Sequence, residues 1–310
     1  MTSYSLISRR RLLETGGAAA AALALPRIPA AFADAPLSFL AVGDWGHASA
    51  KARAVAAAMG RTAETINSRF VISLGDNFYP HGVENVNDRQ WTETFERAFI
   101  APSLMTPWNV VAGNHDHRGN ALAQVEYSRV SKRWRMPSLY YKRRERLAAD
   151  ATADFFYIDT ETMRTEAQRP KKAAFRLDAQ EQLAWLEREL AASRAAWKIV
   201  VGHHPVYSGG SHGNTKRLVN WLPSMFRRYG VQVYIAGHNH NLEHLEIGGT
   251  HYLTSGGGAD PHGVKTLPAT RFGAGELGFL SARLGPAVMN IEFVGQDGGS
   301  LYRAAIPLGA

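Results

Sequence analysis

The sequence predicts an α/β protein in which two β-sheets stack face to face with helices outside. Three observations lead there. Apolar runs alternate with amphipathic helical stretches from Leu37 to Ala236, the βαβ rhythm of parallel strands. After His251 the texture changes to short alternating segments with glycines between them, the pattern of antiparallel strands in a second sheet. Five apolar runs also end in turns rich in Asp, Asn and His: FLAVGDWG, VISLGDNFYP, WNVVAGNHD, KIVVGHHP and VQVYIAGHNH.

Taken in order, the chain opens on a leader. Ser8-Arg9-Arg10-Arg11-Leu12-Leu13 precedes an alanine-rich run from Ala18 to Leu25, and Ala31-Phe32-Ala33 offers a small-x-small cleavage site. This reads as a bacterial signal segment over residues 1–33, and the paired arginines resemble a twin-arginine export signal, so a periplasmic or secreted location is expected. The run is too short and too rich in alanine for a membrane anchor, and no stable membrane association is expected. Residues 34–310 then read as one domain.

Leu37–Gly43 predicts a buried strand, and Ser49–Met59 a helix capped by Ser49 and stopped by Gly60. Phe70–Leu74 and Trp108–Ala112 are the next strands, separated by a helical stretch, Arg89–Ile100, whose Trp91, Phe95 and Phe99 form one stripe. Residues 118–152 are charged and aromatic by turns. They predict a solvated basic loop, with the mouth of an anion-binding cleft as the alternative. Phe155–Ile158 resumes a strand and 161–176 reads as an exposed loop. Asp178, with Glu181 three residues on, caps a helix whose buried stripe is Leu183, Leu186 and Leu190. Trp197–Val201 and Val231–Ala236 are strands around a helix, Thr215–Tyr229, that Pro223 is expected to bend. His251–Thr254, Leu277–Ala282, Ala287–Phe293 and Leu301–Ile306 are the strands assigned to the second sheet.

Composition sets the limits. The 310 residues suffice for a large core, and the absence of cysteine excludes disulfides and thiolate sites. The formal charge of +8 falls to +5 once the four arginines and one glutamate of the leader are removed. That balance favours anionic substrates. It does not indicate nucleic acid, because no long basic block or aromatic-basic repeat accompanies it.

Asp44, Asp76, Asn114, His203, His238 and His240 mix oxygen and nitrogen donors in the way that suits zinc, manganese or iron. Strand-end loops are where α/β proteins place their chemistry. Each has a bland reading: a turn aspartate capping its own backbone, or the polar end of a strand in His203-His204. On a regular strand His238 and His240 would face opposite ways, and they reach neighbouring cations only if the loop turns between them. Their joint placement at the ends of apolar runs favours a metal site.

GDWG at 43–46, GDNFY at 75–79, GNHD at 113–116, GHHP at 202–205 and GHNH at 237–240 resemble the five ordered blocks of the calcineurin-like metallophosphoesterases. More narrowly, the chain resembles the purple acid phosphatases of the small tartrate-resistant type. The likeness runs through GNHDHRGN, YSRVSKRWRMPS, DAQEQLAWLERELAAS and GHNHNLEHL and covers essentially residues 37–306. It implies a four-layer αββα sandwich with two mixed sheets, and a dinuclear centre. Asp44, Asp76, Tyr79 and His240 would surround Fe(III). Asp76, Asn114, His203 and His238 would surround a divalent ion, Fe(II), Zn(II) or Mn(II), with Asp76 as the bridge. Many relatives outside the purple branch have histidine where Gly46 stands. Tyr79 supplies instead a phenolate, a hard donor that prefers Fe(III) and colours the protein.

The resemblance further implies hydrolysis of phosphomonoesters by a hydroxide held on the metals, in line with an alcohol or phenol leaving group. His115 and His212 would bind substrate oxygens and protonate that group. His47, His81, His117, His204 and His244 receive no role. The segment after GDWG is shorter than in the animal enzymes, and the loop near 161–175 is compact and lacks cysteine, so no proteolytic regulation is carried over. Small phosphate esters are the expected partners, and a monomer is the simpler expectation. A phosphodiesterase or nuclease on the same core, and a redox-active di-iron protein, are the alternatives.

Overall fold

The computed structural model describes residues 36–147, 150–164 and 178–309; the leader lies outside them. In chain order the elements are β1 (Leu37–Val42), α1 (Ala50–Ile66), β2 (Phe70–Ser73), β3 (Trp108–Val110), α2 (Ala121–Tyr127), β4 (Trp134–Arg135), β5 (Tyr141–Arg146), β6 (Thr152–Tyr157), α3 (Thr160–Arg164), α4 (Ala179–Ala192), β7 (Trp197–Val201), α5 (Lys216–Tyr229), β8 (Val233–Ala236), β9 (Leu242–Ile247), β10 (Thr250–Ser255), β11 (Thr270–Ala274), β12 (Gly278–Leu284), β13 (Val288–Gly295) and β14 (Ser300–Pro307).

These strands make two seven-stranded mixed sheets, ordered β14-β13-β12-β1-β2-β3-β4 and β11-β9-β10-β8-β7-β6-β5. The pleat sorts each central strand between two hydrophobic layers. Phe39 and Ala41 of β1 face Phe155 and Tyr157 of β6 between the sheets, with Ile72, Ile199, Val233 and Leu280. Leu40 and Val42 point the other way, onto Val55, Met59 and Ala63 of α1. Phe156 and Tyr234 likewise meet Leu186, Leu190, Leu222 and Phe226 of α4 and α5. Three apolar interfaces thus separate four layers, helix, sheet, sheet, helix.

The sequence expectation is corrected in one respect: the late antiparallel strands do not form a sheet of their own. β12 pairs antiparallel with β1, from Leu37↔Leu284 to Ala41↔Leu280, so β12–β14 extend the first sheet. β10 lies parallel to β8 and antiparallel to β9 in the other. Every residue of β1 is buried, so both of its edges need a neighbour, and β2 occupies only one of them. Alternation in sequence reveals the kind of pairing but not the edge it uses.

Smaller differences have local causes. Ser49 accepts from Ala52 N–H at 3.1 Å as expected, but α1 runs past Gly60 and ends at Asn67, whose φ is 52°. Gly60 serves close packing instead, since a Cβ there would lie 2.6 Å from Ala101 Cβ. The Trp91, Phe95 and Phe99 stripe is buried, its first two residues on a π-helical turn over Trp91–Glu96 and Phe99 just beyond it. Asp178 accepts from Gln180 N–H at 2.7 Å, and α5 continues through Pro223. The basic stretch before β6 is not a loop: β5 is an edge strand, and Arg144 grips buried Asp154 through Nε at 2.6 Å and Nη2 at 2.8 Å. Lys142, 3.2 Å away, joins Arg144 in neutralising that carboxylate, while Arg143 pairs with Glu145 and Arg133 with Glu96. Of the segment expected as an exposed loop, Glu161–Arg164 is helical and 165–176 lies outside the described residues.

Candidate metal centre

The carboxyl ends of β1, β2 and β3 in one sheet and of β7 and β8 in the other meet at one place, and each delivers one of the five glycine-containing turns. The turns are tied together by main-chain bonds. Asp44 N–H donates to Gly75 O at 3.0 Å, Gly46 N–H to Asp76 O at 3.2 Å and Gly237 N–H to His203 O at 2.9 Å. Across the sheets, His238 N–H donates to Asp44 Oδ2 at 2.8 Å. Asp44, Asp76 and His238 adopt φ of 61°, 51° and 67°, in the left-handed region. For non-glycine residues this costs on the order of 1–3 kcal/mol each, a strain that clusters at functional sites. The left-handed turn at His238 lets His238 and His240, which a regular strand would point to opposite faces, both reach this place. Gly113 permits the closest approach, because a Cβ there would collide with Asp76 Oδ1.

Two donor groups share Asp76. On one side Tyr79 Oη lies 3.1 Å from Asp76 Oδ2, 3.4 Å from Asp44 Oδ1 and 3.3 Å from His240 Nε2. On the other, His203 Nε2 lies 3.5 Å from Asp76 Oδ1 and 3.1 Å from Asn114 Oδ1, with the His238 ring 5.1 Å from that of His203. Each Asp76 oxygen therefore faces a different group. The imidazoles are pre-aimed: His203 Nδ1 is 2.8 Å from Leu74 O and His240 Nδ1 is 2.7 Å from Asp260 O. A carbonyl can only accept, so both rings carry their proton on Nδ1 and turn the Nε2 lone pair inward, as a metal-binding imidazole requires.

The electrostatics fit cations. Asp44 is fully buried, and burial with the neighbouring Asp76 charge raises its pKa well above the usual carboxylate range. Burial, Asp44 and Asp76 likewise push the Tyr79 phenol far up. Burial and His262 press His240 down to about 4, while burial and His203 hold His238 well below the ordinary imidazole value. The Asp44 carboxyl and the Tyr79 phenol resist ionisation and the His238 and His240 imidazoles resist protonation, an environment that two bound cations would offset.

All seven residues singled out as metal donors from the sequence come together here, and the two proposed proton donors flank them. His115 lies beside Tyr79, ring centroids 4.4 Å apart, with Nδ1 2.8 Å from Pro80 O. His212 lies beside His238 at 4.5 Å, placed by its N–H donating to Asn239 Oδ1 at 2.9 Å.

Sequence reasoning missed several supports. Asp116, fully buried, accepts from Gly113 N–H at 2.8 Å and from Asn77 and Phe78 N–H, joining the second turn to the third; burial and Asp76 raise its pKa to about 6. Its place in GNHD was the available signal. Glu243 accepts from Gly209 N–H at 2.8 Å and anchors the His212 loop. His262 stacks on His240 at 4.6 Å, from a loop with no strand-end signal. His204 is buried behind His238, ring centroids 4.3 Å apart, with Thr160 Oγ1 2.9 Å from Nδ1 and Glu161 Oε2 3.4 Å from Nε2. His244 belongs elsewhere, in a buried chain with His251 and Tyr302.

His117 makes a clamp between the sheets, Nε2 lying 2.8 Å from the buried Asp159 Oδ2. Burial opposes its charge, but Asp159 prevails and lifts its pKa to about 9. The folded pKa exceeds the unfolded value near 6.5, so this stabilisation is full below about pH 6.5 and is lost as pH rises through about 9. His117→Ala should cost about 3 kcal/mol in denaturant melts at pH 6, the scale of a broken buried pair, and distinctly less at pH 9.5. An equal cost at both values would contradict the clamp.

Comparisons with known proteins agree with this geometry. Residues 37–242 match the calcineurin-like phosphoesterase family. The chain is 37% identical over 298 residues to tartrate-resistant acid phosphatase type 5 of Sus scrofa, covering 87% of each chain. It is 34% identical over 292 residues to purple acid phosphatase 7 of Arabidopsis thaliana, covering 88% of this chain and 87% of that protein. Among solved structures, GAP50, the anchor in the inner membrane complex of Plasmodium, shares the fold at a TM-score of 0.81 and 24% identity, covering 89% of this chain and 90% of that one.

Proposed function

The chain belongs to the calcineurin-like phosphoesterases, and we propose that it is an exported acid phosphatase that hydrolyses small phosphomonoesters at an Fe(III)/divalent metal pair. The observation that carries this reading is Asp76, one oxygen facing Tyr79 and the other facing His203. Asp44, Asp76, Tyr79 and His240 are the donors for the ferric ion, and Asp76, Asn114, His203 and His238 those for Fe(II), Zn(II) or Mn(II). Once bound, two such ions supply Lewis acidity toward phosphoryl oxygens and lower the pKa of a water.

The chain's own residues supply the rest. Asp76 holds the two positions at a fixed separation. His115, beside Tyr79, and His212, beside His238, bind the non-bridging phosphate oxygens and deliver a proton to the leaving alcohol. His212 stands exposed on the glycine-rich Gly209–Gly213 loop beside His238. The leader supports export by a twin-arginine route, which carries folded, metal-loaded protein, and residues 34–310 are then the catalytic domain. Among the described residues no helix is long and apolar enough to cross a membrane.

Metal analysis of the purified protein, with turnover of a nitrophenyl phosphomonoester and a bis-aryl phosphodiester, tests this function. Two metals per chain and preference for the monoester are expected; preference for the diester would replace the reading with a phosphodiesterase. The protein should also absorb broadly in the visible, and Tyr79→Phe should abolish the band. A fully active, colourless protein containing only zinc would overturn the ferric assignment.

A further inference from the structure

His47 received no role from the sequence, yet the structure lays its ring flat on Tyr79. The ring centroids are 4.0 Å apart and the planes 8° from parallel. The chain places it there by joining two turns: Tyr79 N–H donates to Gly46 O at 3.1 Å, so the residue after Gly46 emerges over the tyrosine. Among the described residues neither nitrogen of the His47 ring makes a hydrogen bond or ion pair, so the stack is the contact that fixes the ring. His47 itself is exposed on its outer side. The Tyr79 hydroxyl meanwhile points inward, at Asp44, Asp76 and His240.

We propose that His47 is a positioning residue for Tyr79, a cover that keeps water off one face of the phenol ring and thereby sets the strength of that oxygen as a metal donor. The inference rests on the reading of Tyr79 as a ligand of the first metal. A flat ring in van der Waals contact excludes water from the π-face it covers. Solvent access and dielectric around a ligand control what that ligand does to its metal, and groups behind the ligands commonly change metal affinity or activity by about 10–100-fold. A phenolate with a dry face keeps its electron density and donates strongly. One opened to water has its charge stabilised by solvent and donates less. The histidine also sits one residue after Gly46, where other branches of the family place a ligand; here the ring lies on a ligand's face.

The test compares His47→Ala with His47→Phe in the full-length, metal-loaded protein. His47→Ala uncovers the ring, so the visible band should move to shorter wavelength, and iron should leave to a chelator about tenfold faster. His47→Phe keeps a flat ring over Tyr79 and should match the native protein in both respects. A His47→Ala protein with unchanged band position and unchanged iron release overturns the proposal. Equal changes in both variants overturn it too, since they would assign the effect to the imidazole nitrogens and not to the covering ring. A colourless native protein would refute the ferric assignment instead. The chelator assay, which needs only a bound metal, would still decide the role of His47.

Discussion

Asp76→Asn should lower turnover at least about 10³-fold, roughly 4 kcal/mol of transition-state stabilisation, and should release metal from both positions. The substitution changes one oxygen to an amide nitrogen and little else. Asparagine tolerates the left-handed backbone that residue 76 adopts at φ 51°, so the turn has no steric reason to open. What is lost is the simultaneous service of two sides: Oδ2 lies 3.1 Å from Tyr79 Oη and Oδ1 3.5 Å from His203 Nε2, and an amide leaves one side facing N–H donors. The negative charge that offsets repulsion between two cations goes with it. Metal content and turnover measured on the same preparation check this. Two tightly held metals with near-normal activity would show that the bridge has been misplaced.

His212→Ala should retain both metals and the colour, since the side chain lies beside His238 and outside the two groups that Asp76 joins. Its loss should depend on the leaving group. General acid assistance is worth about 10²–10⁴ in rate, most of all when the departing oxygen is a poor leaving group. An alkyl phosphate should therefore lose about 10³-fold while nitrophenyl phosphate, whose anion departs without a proton, loses about tenfold or less. Burial, aided by the nearby His262 charge, lowers the pKa of His212, so its proton is available only on the acid side of the ordinary imidazole range. The alkaline limb of the native pH profile should accordingly disappear in the variant. Equal losses for both esters, with that limb unchanged, would leave His212 a substrate-binding role and move the acid role to His115.

The convergence of the proposed donors was legible in the sequence because these residues belong to short turns fixed by the strands before them. Asp44, Asp76, Asn114, His203, His238 and His240 all follow buried strands within a few residues, and parallel strands in stacked sheets bring their carboxyl ends together. What supports the donors was much less legible. Asp260 and His262 orient and cover His240 from a loop near 260 that carries no periodic pattern, so nothing in the chain order announces the contact. Asp116 received no role, because its bonds to the 77–78 backbone exist only once β2 and β3 are adjacent. The edge used by β12 was hidden for the same reason: alternation records which face of a strand is buried, whereas the partner strand is selected by the whole sheet. The strand inside the basic stretch before β6 was missed because Arg144 answers Asp154, a carboxylate on the neighbouring strand that the local sequence does not reveal.

The most direct measurement of the central claim is anomalous diffraction at the iron absorption edge from crystals of the native protein. Two metal peaks about 3.5–4 Å apart are predicted, with Asp76 between them and Tyr79 bonded to the one that scatters as iron. A single peak, or two peaks with no iron and the Tyr79 oxygen beyond bonding distance of both, would contradict it.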